Sequence, residues 1–180
     1  MSLCETNRFA AWICAAILLA APIEGAALER SQTLIDPTLE SQVRQDIVEL
    51  HEFFVGWYNG ELPHSAYVTE FEARLDPAFT IVMPSGVELD LPSLSGAMKA
   101  SLGQKPGFRI EIRNVRLKHV AGTTVVATYE EWQRNSADKP GQGSGRFSTV
   151  VMERRDSLTW LHVHETWLPE DVVGSDEFNF

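Results

Sequence analysis

Apolar positions along the chain follow a helical period first and a strand period afterwards. From Leu39 onward, Val43, Ile47, Leu50, Phe54 and Trp57 recur at three- and four-residue spacing, which predicts an amphipathic helix of about six turns. Asp36 supplies its N-cap and Pro37 suits the first helical position. Asn59-Gly60 closes it, and Pro63 prevents its resumption. Phe71 and Leu75 mark the buried side of a shorter helix from Ser65 to Leu75, ended by Asp76-Pro77. "FTIVM" and "VELDL" flank Pro84-Ser85-Gly86 as a hairpin, and Asp90 caps a third helix that carries Leu94, Met98 and Leu102 and stops at Gly103.

Four alternating segments follow, Phe108–Val120, Thr123–Arg134, Gly145–Arg155 and Leu158–Leu168, separated by turn-forming residues. Helices followed by a meander predict an α+β fold, with three N-terminal helices packed on a curved antiparallel sheet. Residues 36–169 form its single domain, and 170–180 an acidic flexible tail. Phe108, Ile110 and Ile112 oppose charged neighbours, a one-sided pattern. The later strands are apolar on both sides: Val125 and Ala127 face opposite to Val126 and Trp132, and Phe147 and Val151 opposite to Val150 and Met152. Helices can cover one face, so the expected partner for the other is a second copy of the chain, giving a homodimer.

Composition refines this picture. A 180-residue chain with 44% hydrophobic content can bury one ordinary core. The formal charge of −10 and the lack of a basic patch argue against nucleic-acid binding. The apolar run Phe9–Ile23 followed by "EGAALER" reads as a signal peptide over residues 1–27, cleaved after Ala27. It is short for a membrane span, so the expectation is an exported chain, periplasmic or secreted, with no stable span after processing. If that leader is not functional, the chain is cytoplasmic. Cys4 and Cys14 both lie inside the leader, which removes disulfides, thiolate metal sites and a cysteine nucleophile from the remainder.

The order of elements, together with "FFVGWYNGEL", "LDPAFTIVMPSGVELD" and the closing "WLHVHETW", resembles the nuclear transport factor 2-like superfamily, nearest its SnoaL-like and uncharacterised members. Trp160, Val163, His164 and Glu165 match a final-strand pattern common there, while Thr166 stands where a second histidine often follows. The resemblance covers about Leu39 to Pro169. It implies a cone-shaped fold enclosing a pocket, and it leaves the activity open, because that superfamily holds isomerases, cyclases, dehydratases and non-catalytic modules.

Candidate chemistry lies on the strands. His162 and His164 share one strand face, roughly 7 Å apart, but no spacing supplies a third ligand, so no metal is expected. Tyr129 with Glu131, Arg146 with Ser148, and His162 with His164 each share a face. If the three sets converge, a base, a donor and a cation meet. Parity of the last strand is ambiguous. Hydrophobicity turns Leu161, Val163 and Trp167 inward, whereas the resemblance turns Trp160 inward, so Glu165 stays a candidate beside the histidines. Trp57, at the end of the first helix, completes the candidate lining. His51 reads as a partly exposed helix histidine, and Lys105 as a loop residue without a role.

The functional expectation is an exported SnoaL-like domain that binds a small apolar molecule in a pocket of several hundred cubic ångströms. It would need no cofactor for isomerase- or cyclase-like acid–base catalysis. The alternative is a non-enzymatic binding or assembly module on the same fold.

Overall fold

A computed structural model describes residues 36–138, 142–175 and 180. The apolar run read as a leader lies outside them. Among the described residues, no helix is long and apolar enough to cross a membrane. The Asp36 carboxylate accepts from the Thr38 amide at 2.9 Å, and helix α1 runs from Pro37 to Asn59. Its stripe of Leu39, Val43, Ile47, Leu50, Phe53 and Trp57 is buried. Gly60 ends the helix at φ 75°, and a side chain there would crowd the Cα of Gly103 at 3.1 Å.

The end of α1 organises the loop that follows the next helix. The Gly103 and Lys105 amides donate to the carbonyls of Trp57 and Tyr58, at 3.0 and 2.9 Å. The Asn59 side chain accepts from the Gly107 and Phe108 amides and donates to the Phe108 carbonyl. Orphan carbonyls at a helix end are thus satisfied, and Lys105 is pinned beside Tyr58.

The second predicted helix is a π-helical turn, Tyr67–Phe71, running into a 3₁₀ turn, Glu72–Arg74. Asp76-Pro77 does not end it. Both residues lie inside strand β1 (Leu75–Val82), in the stretch between Leu75 and Thr80 where pairing is irregular and no ladder amide is required of proline. Strand β2 (Glu88–Asp90) pairs back on β1, and Asp90 caps helix α2 (Leu91–Ala100) by accepting from Ser93 at 2.9 Å.

Strands β3 (Phe108–Ala121), β4 (Thr124–Asn135), β5 (Ser144–Arg154) and β6 (Leu158–Trp167) form the expected antiparallel meander. The six-stranded sheet has the order β2-β1-β6-β5-β4-β3, and β1 lies parallel to β6, so the sheet is mixed. Asn114 bulges out of β3 at φ 51°, bending the strand while keeping Val115 buried. A helical turn, α3 (Glu170–Val173), occupies the start of the acidic tail.

A second bulge resolves the parity of the last strand. Val151 pairs with His162 and Met152 with Trp160, leaving Leu161 as an extra residue. Trp160 therefore faces the core on one side of the bulge, and Val163 and Glu165 face it on the other. His162 and His164 point to the outer face, where His162 Nδ1 lies 2.7 Å from the Thr80 hydroxyl and His164 is exposed. That face is partly covered by the chain itself. Trp132 is only 3% exposed, with the Arg113 guanidinium 3.9 Å above its ring and its indole N–H donating to Glu130.

Candidate functional site

A cavity of about 130 Å³ lies between α1, β1, α2 and the inner face of β4–β6. Leu50, Phe54, Phe71, Leu75, Phe79, Met98, Trp160 and Val163 form its apolar wall. Its other end is polar, and strand geometry explains why. Tyr129, Glu131 and Gln133 alternate onto the inner face of β4, Arg146 pairs with Glu131 from β5, and Glu165 follows Val163 on β6. His51 reaches the same end from α1.

The contacts tie these groups into one cluster. Arg146 Nη1 donates to Glu165 Oε2 at 3.0 Å and lies 3.9 Å from Glu131 Oε2. The Gln133 amide donates to Glu131 Oε1 at 2.5 Å. His51 Nδ1 lies 2.6 Å from the Ile47 carbonyl, which can only accept, so that nitrogen carries the hydrogen. Nε2 is thereby turned toward Glu131, 3.6 Å away. Tyr129 stands edge-on to the imidazole at 5.2 Å.

The two carboxylates differ in proton affinity. Burial alone raises that of Glu131, but the His51 ring, Arg146 and the Gln133 amide outweigh it and hold the group at about 2. Burial dominates at Glu165; Arg146 opposes it, the Glu131 charge reinforces it, and the result is about 7. Lys105 completes the rim, its ammonium 4.2 Å from the Tyr58 ring centre and 4.8 Å from that of Phe108.

Of the residues singled out from the sequence, Tyr129, Glu131, Arg146 and Glu165 line this cavity. Ser148 is fully buried on the same sheet face, outside the lining. Trp57 packs away from the cavity and donates its indole N–H to the Met98 carbonyl at 2.7 Å. His162 and His164 are excluded by the bulge, so the last strand contributes a carboxylate where a histidine was expected. The cavity is also smaller than expected, because aromatic side chains from α1 and the Tyr67–Phe71 turn fill the middle of the domain.

His51, Gln133 and Lys105 went unrecognised as lining residues. His51 is 3% exposed, and a signal for it exists: it stands four residues after Ile47 and three before Phe54, on the buried stripe. Gln133 continues the Tyr129–Glu131 alternation. Lys105 has no local signal, because a tertiary clamp on its loop positions it. Among the described residues, no group of three or more His, Cys, Asp or Glu is arranged to hold a metal ion.

Residues 43–169 match the family described as sucrose-6-phosphate phosphohydrolase C-terminal. The chain belongs to that family. It is 31% identical over 131 residues to sucrose-phosphatase 2 of Nicotiana tabacum, covering 68% of this chain and 30% of that protein. Probable sucrose-phosphatase 3a of Arabidopsis thaliana is 28% identical over 135 residues, covering 73% of this chain and 32% of the relative. The chain thus spans about a third of the length of these relatives.

Among solved structures, an NTF-2 like protein of unknown function from Pseudomonas aeruginosa superposes with a TM-score of 0.61 at 29% identity, covering 73% of this chain and 98% of the other. The fold is nuclear transport factor 2-like, as the resemblance implied. The functional expectation drawn from that resemblance is overturned: the family match assigns the chain to the sucrose-phosphatase C-terminal family, and not to an exported SnoaL-like domain working on a small apolar molecule.

Proposed function

We propose that this chain is the sugar-reading domain of a sucrose-phosphatase-like protein, its cavity receiving the hydroxyl-bearing edge of a neutral sugar. The observation that carries this reading is the division of the cavity into an apolar, aromatic wall and one end that mixes acceptors with donors. Each sugar hydroxyl both donates and accepts, so its recognition needs both kinds of group within reach. Glu131 and Glu165 accept, while Arg146, Gln133 and Lys105 donate. Phe54 and Tyr58 offer ring surface to the C–H faces of a sugar. The names of the relatives, all sucrose-phosphatases, support the substrate class.

The same charges argue that the phosphate of a sugar ester stays out of the cavity. The Arg146 guanidinium is already engaged by Glu131 and Glu165, so a dianion entering there must compete with both carboxyl groups for it in a poorly solvated place. Calorimetric titration of the full chain with glucose, fructose, sucrose and inorganic phosphate tests the proposal. Neutral sugars are expected to bind with millimolar dissociation constants and inorganic phosphate more weakly, and Glu131→Gln is expected to weaken the sugars about tenfold, the worth of one charged hydrogen bond. Heat from inorganic phosphate alone, or from none of the four, would overturn the reading.

A further inference from the structure

The cavity has a neighbour. A groove of about 370 Å³, lined by Phe108, Asn135, Asp138 and Ser144 among others, shares Lys105 and Gln133 with the cavity as a common wall. Both shared residues face two ways. Gln133 donates through its amide nitrogen to Glu131 Oε1 in the cavity, and its amide oxygen accepts from the Ser144 hydroxyl at 3.3 Å on the groove side. The Lys105 ammonium sits over both Tyr58, which lines the cavity, and Phe108, which lines the groove. These two rings meet edge to face at 5.2 Å, forming a continuous aromatic floor beneath the ammonium.

We propose that cavity and groove are two halves of one site, so that the ligand is a glycosidically linked pair of sugar units straddling Lys105 and Gln133. This rests on the sugar reading of the cavity and adds the size of the ligand. At about 130 Å³ the cavity falls well below the ~300–1,000 Å³ typical of pockets that enclose a whole ligand, so a molecule larger than one ring must continue outward. The groove offers that second unit the same pairing of chemistries, one aromatic ring with hydroxyl, amide and carboxylate neighbours. Its wall is held in place, because the Asp138 carboxylate accepts from the Asn135 amide at 2.6 Å and the Asp138 carbonyl accepts from Arg134 at 3.1 Å. The Lys105 side rests on the Asn59 clamp. The ligand therefore meets a preformed groove and orders little on binding.

Titrating the full chain with sucrose, glucose and fructose, while following backbone amide resonances, tests this. Sucrose is expected to bind about tenfold more tightly than either monosaccharide, the worth of one or two net hydrogen bonds. It should move the amide signals of Phe108 and Ser144, which the monosaccharides leave in place. Ser144→Leu, which fills the groove, should bring sucrose affinity down to that of the monosaccharides measured on the same variant. Equal affinities with no shift at Phe108 or Ser144 would overturn the two-part site while leaving the sugar reading intact. A chain that binds none of the three overturns both. The resonance map is read on the unsubstituted chain, so an unfolded Ser144→Leu variant does not decide the outcome.

Discussion

Glu131 and Glu165 carry the same side chain and share one guanidinium, yet they hold their protons five units of pH apart, at about 2 and about 7. The difference comes from the other neighbours, since His51 and Gln133 both act directly on Glu131, whereas Glu165 feels His51 only as the smallest of its influences and has no bond from Gln133. Between its ordinary 4.5 and about 7, Glu165 keeps a proton in the folded protein that the unfolded chain has released. Stability therefore falls as pH rises through that window, by up to about 3 kcal/mol at ~1.4 kcal/mol per unit. Glu131 acts oppositely, and its contribution is lost as pH falls from 4.5 through about 2. Urea unfolding of Glu165→Gln at pH 5 and pH 8 should show this fall much reduced; an unchanged difference between the two pH values would refute the assignment. Arg146→Leu leaves two buried carboxylates without their cation, which should cost ~3–5 kcal/mol at pH 8 and clearly less at pH 5, where Glu165 is protonated. At this scale the sequence was informative where two-residue spacing applied, since it put Tyr129 with Glu131 and Arg146 with Ser148 on shared faces. It was silent where a side chain is placed by distant backbone, as Lys105 is by the carbonyl of Tyr58.

Among the elements, the start of β1 at Leu75 was not legible, because Ser65–Leu75 read as helix and Asp76-Pro77 as its end. The boundaries of the four meander strands were legible to within about a residue because turn residues separate them. The facing of β6 was not. Trp-Leu-His-Val-His-Glu-Thr-Trp reads as apolar on either parity, and the slip that selects both depends on where the strand passes between β5 and β1. Hydrophobicity read the half after Leu161 correctly for Val163, and the resemblance read the half before it correctly for Trp160. Deleting Leu161 would turn the three-residue step from Trp160 to Val163 into a two-residue step, which keeps Trp160, Val163 and Glu165 on the core face in a regular ladder without the bulge. The expected loss is ~2 kcal/mol or less, comparable to that of Leu161→Ala, whose side chain is only half-buried. Thermal unfolding of the two variants compares them directly, and a deletion that melts far below Leu161→Ala would count against Leu161 as the extra residue of the bulge.

For the whole molecule, the open question on the sheet is what meets its outer surface. Trp132 needs no external partner, because Arg113 covers it, and this weakens the original reason for expecting a second copy. Phe147 remains 39% exposed on that surface, with Val126 and Val151 half-buried beside each other on β4 and β5. We propose that two copies pair across this remaining patch. Sedimentation equilibrium should then report a dimer at micromolar concentration that Phe147→Lys converts to monomer, and a monomeric parent chain would end the proposal. One further consequence follows from the parallel seam between β1 and β6. It joins Leu75 to Trp160, partners separated by nearly the whole meander, and because so long a loop is costly to close, this pairing is expected to form late in folding. The cavity has walls on both strands, so it exists only after that last closure. An occupant that stabilises the finished cavity touches nothing yet built at the folding barrier. It should slow unfolding in proportion to its affinity and leave the folding rate unaltered, so that occupancy is read as kinetic lifetime.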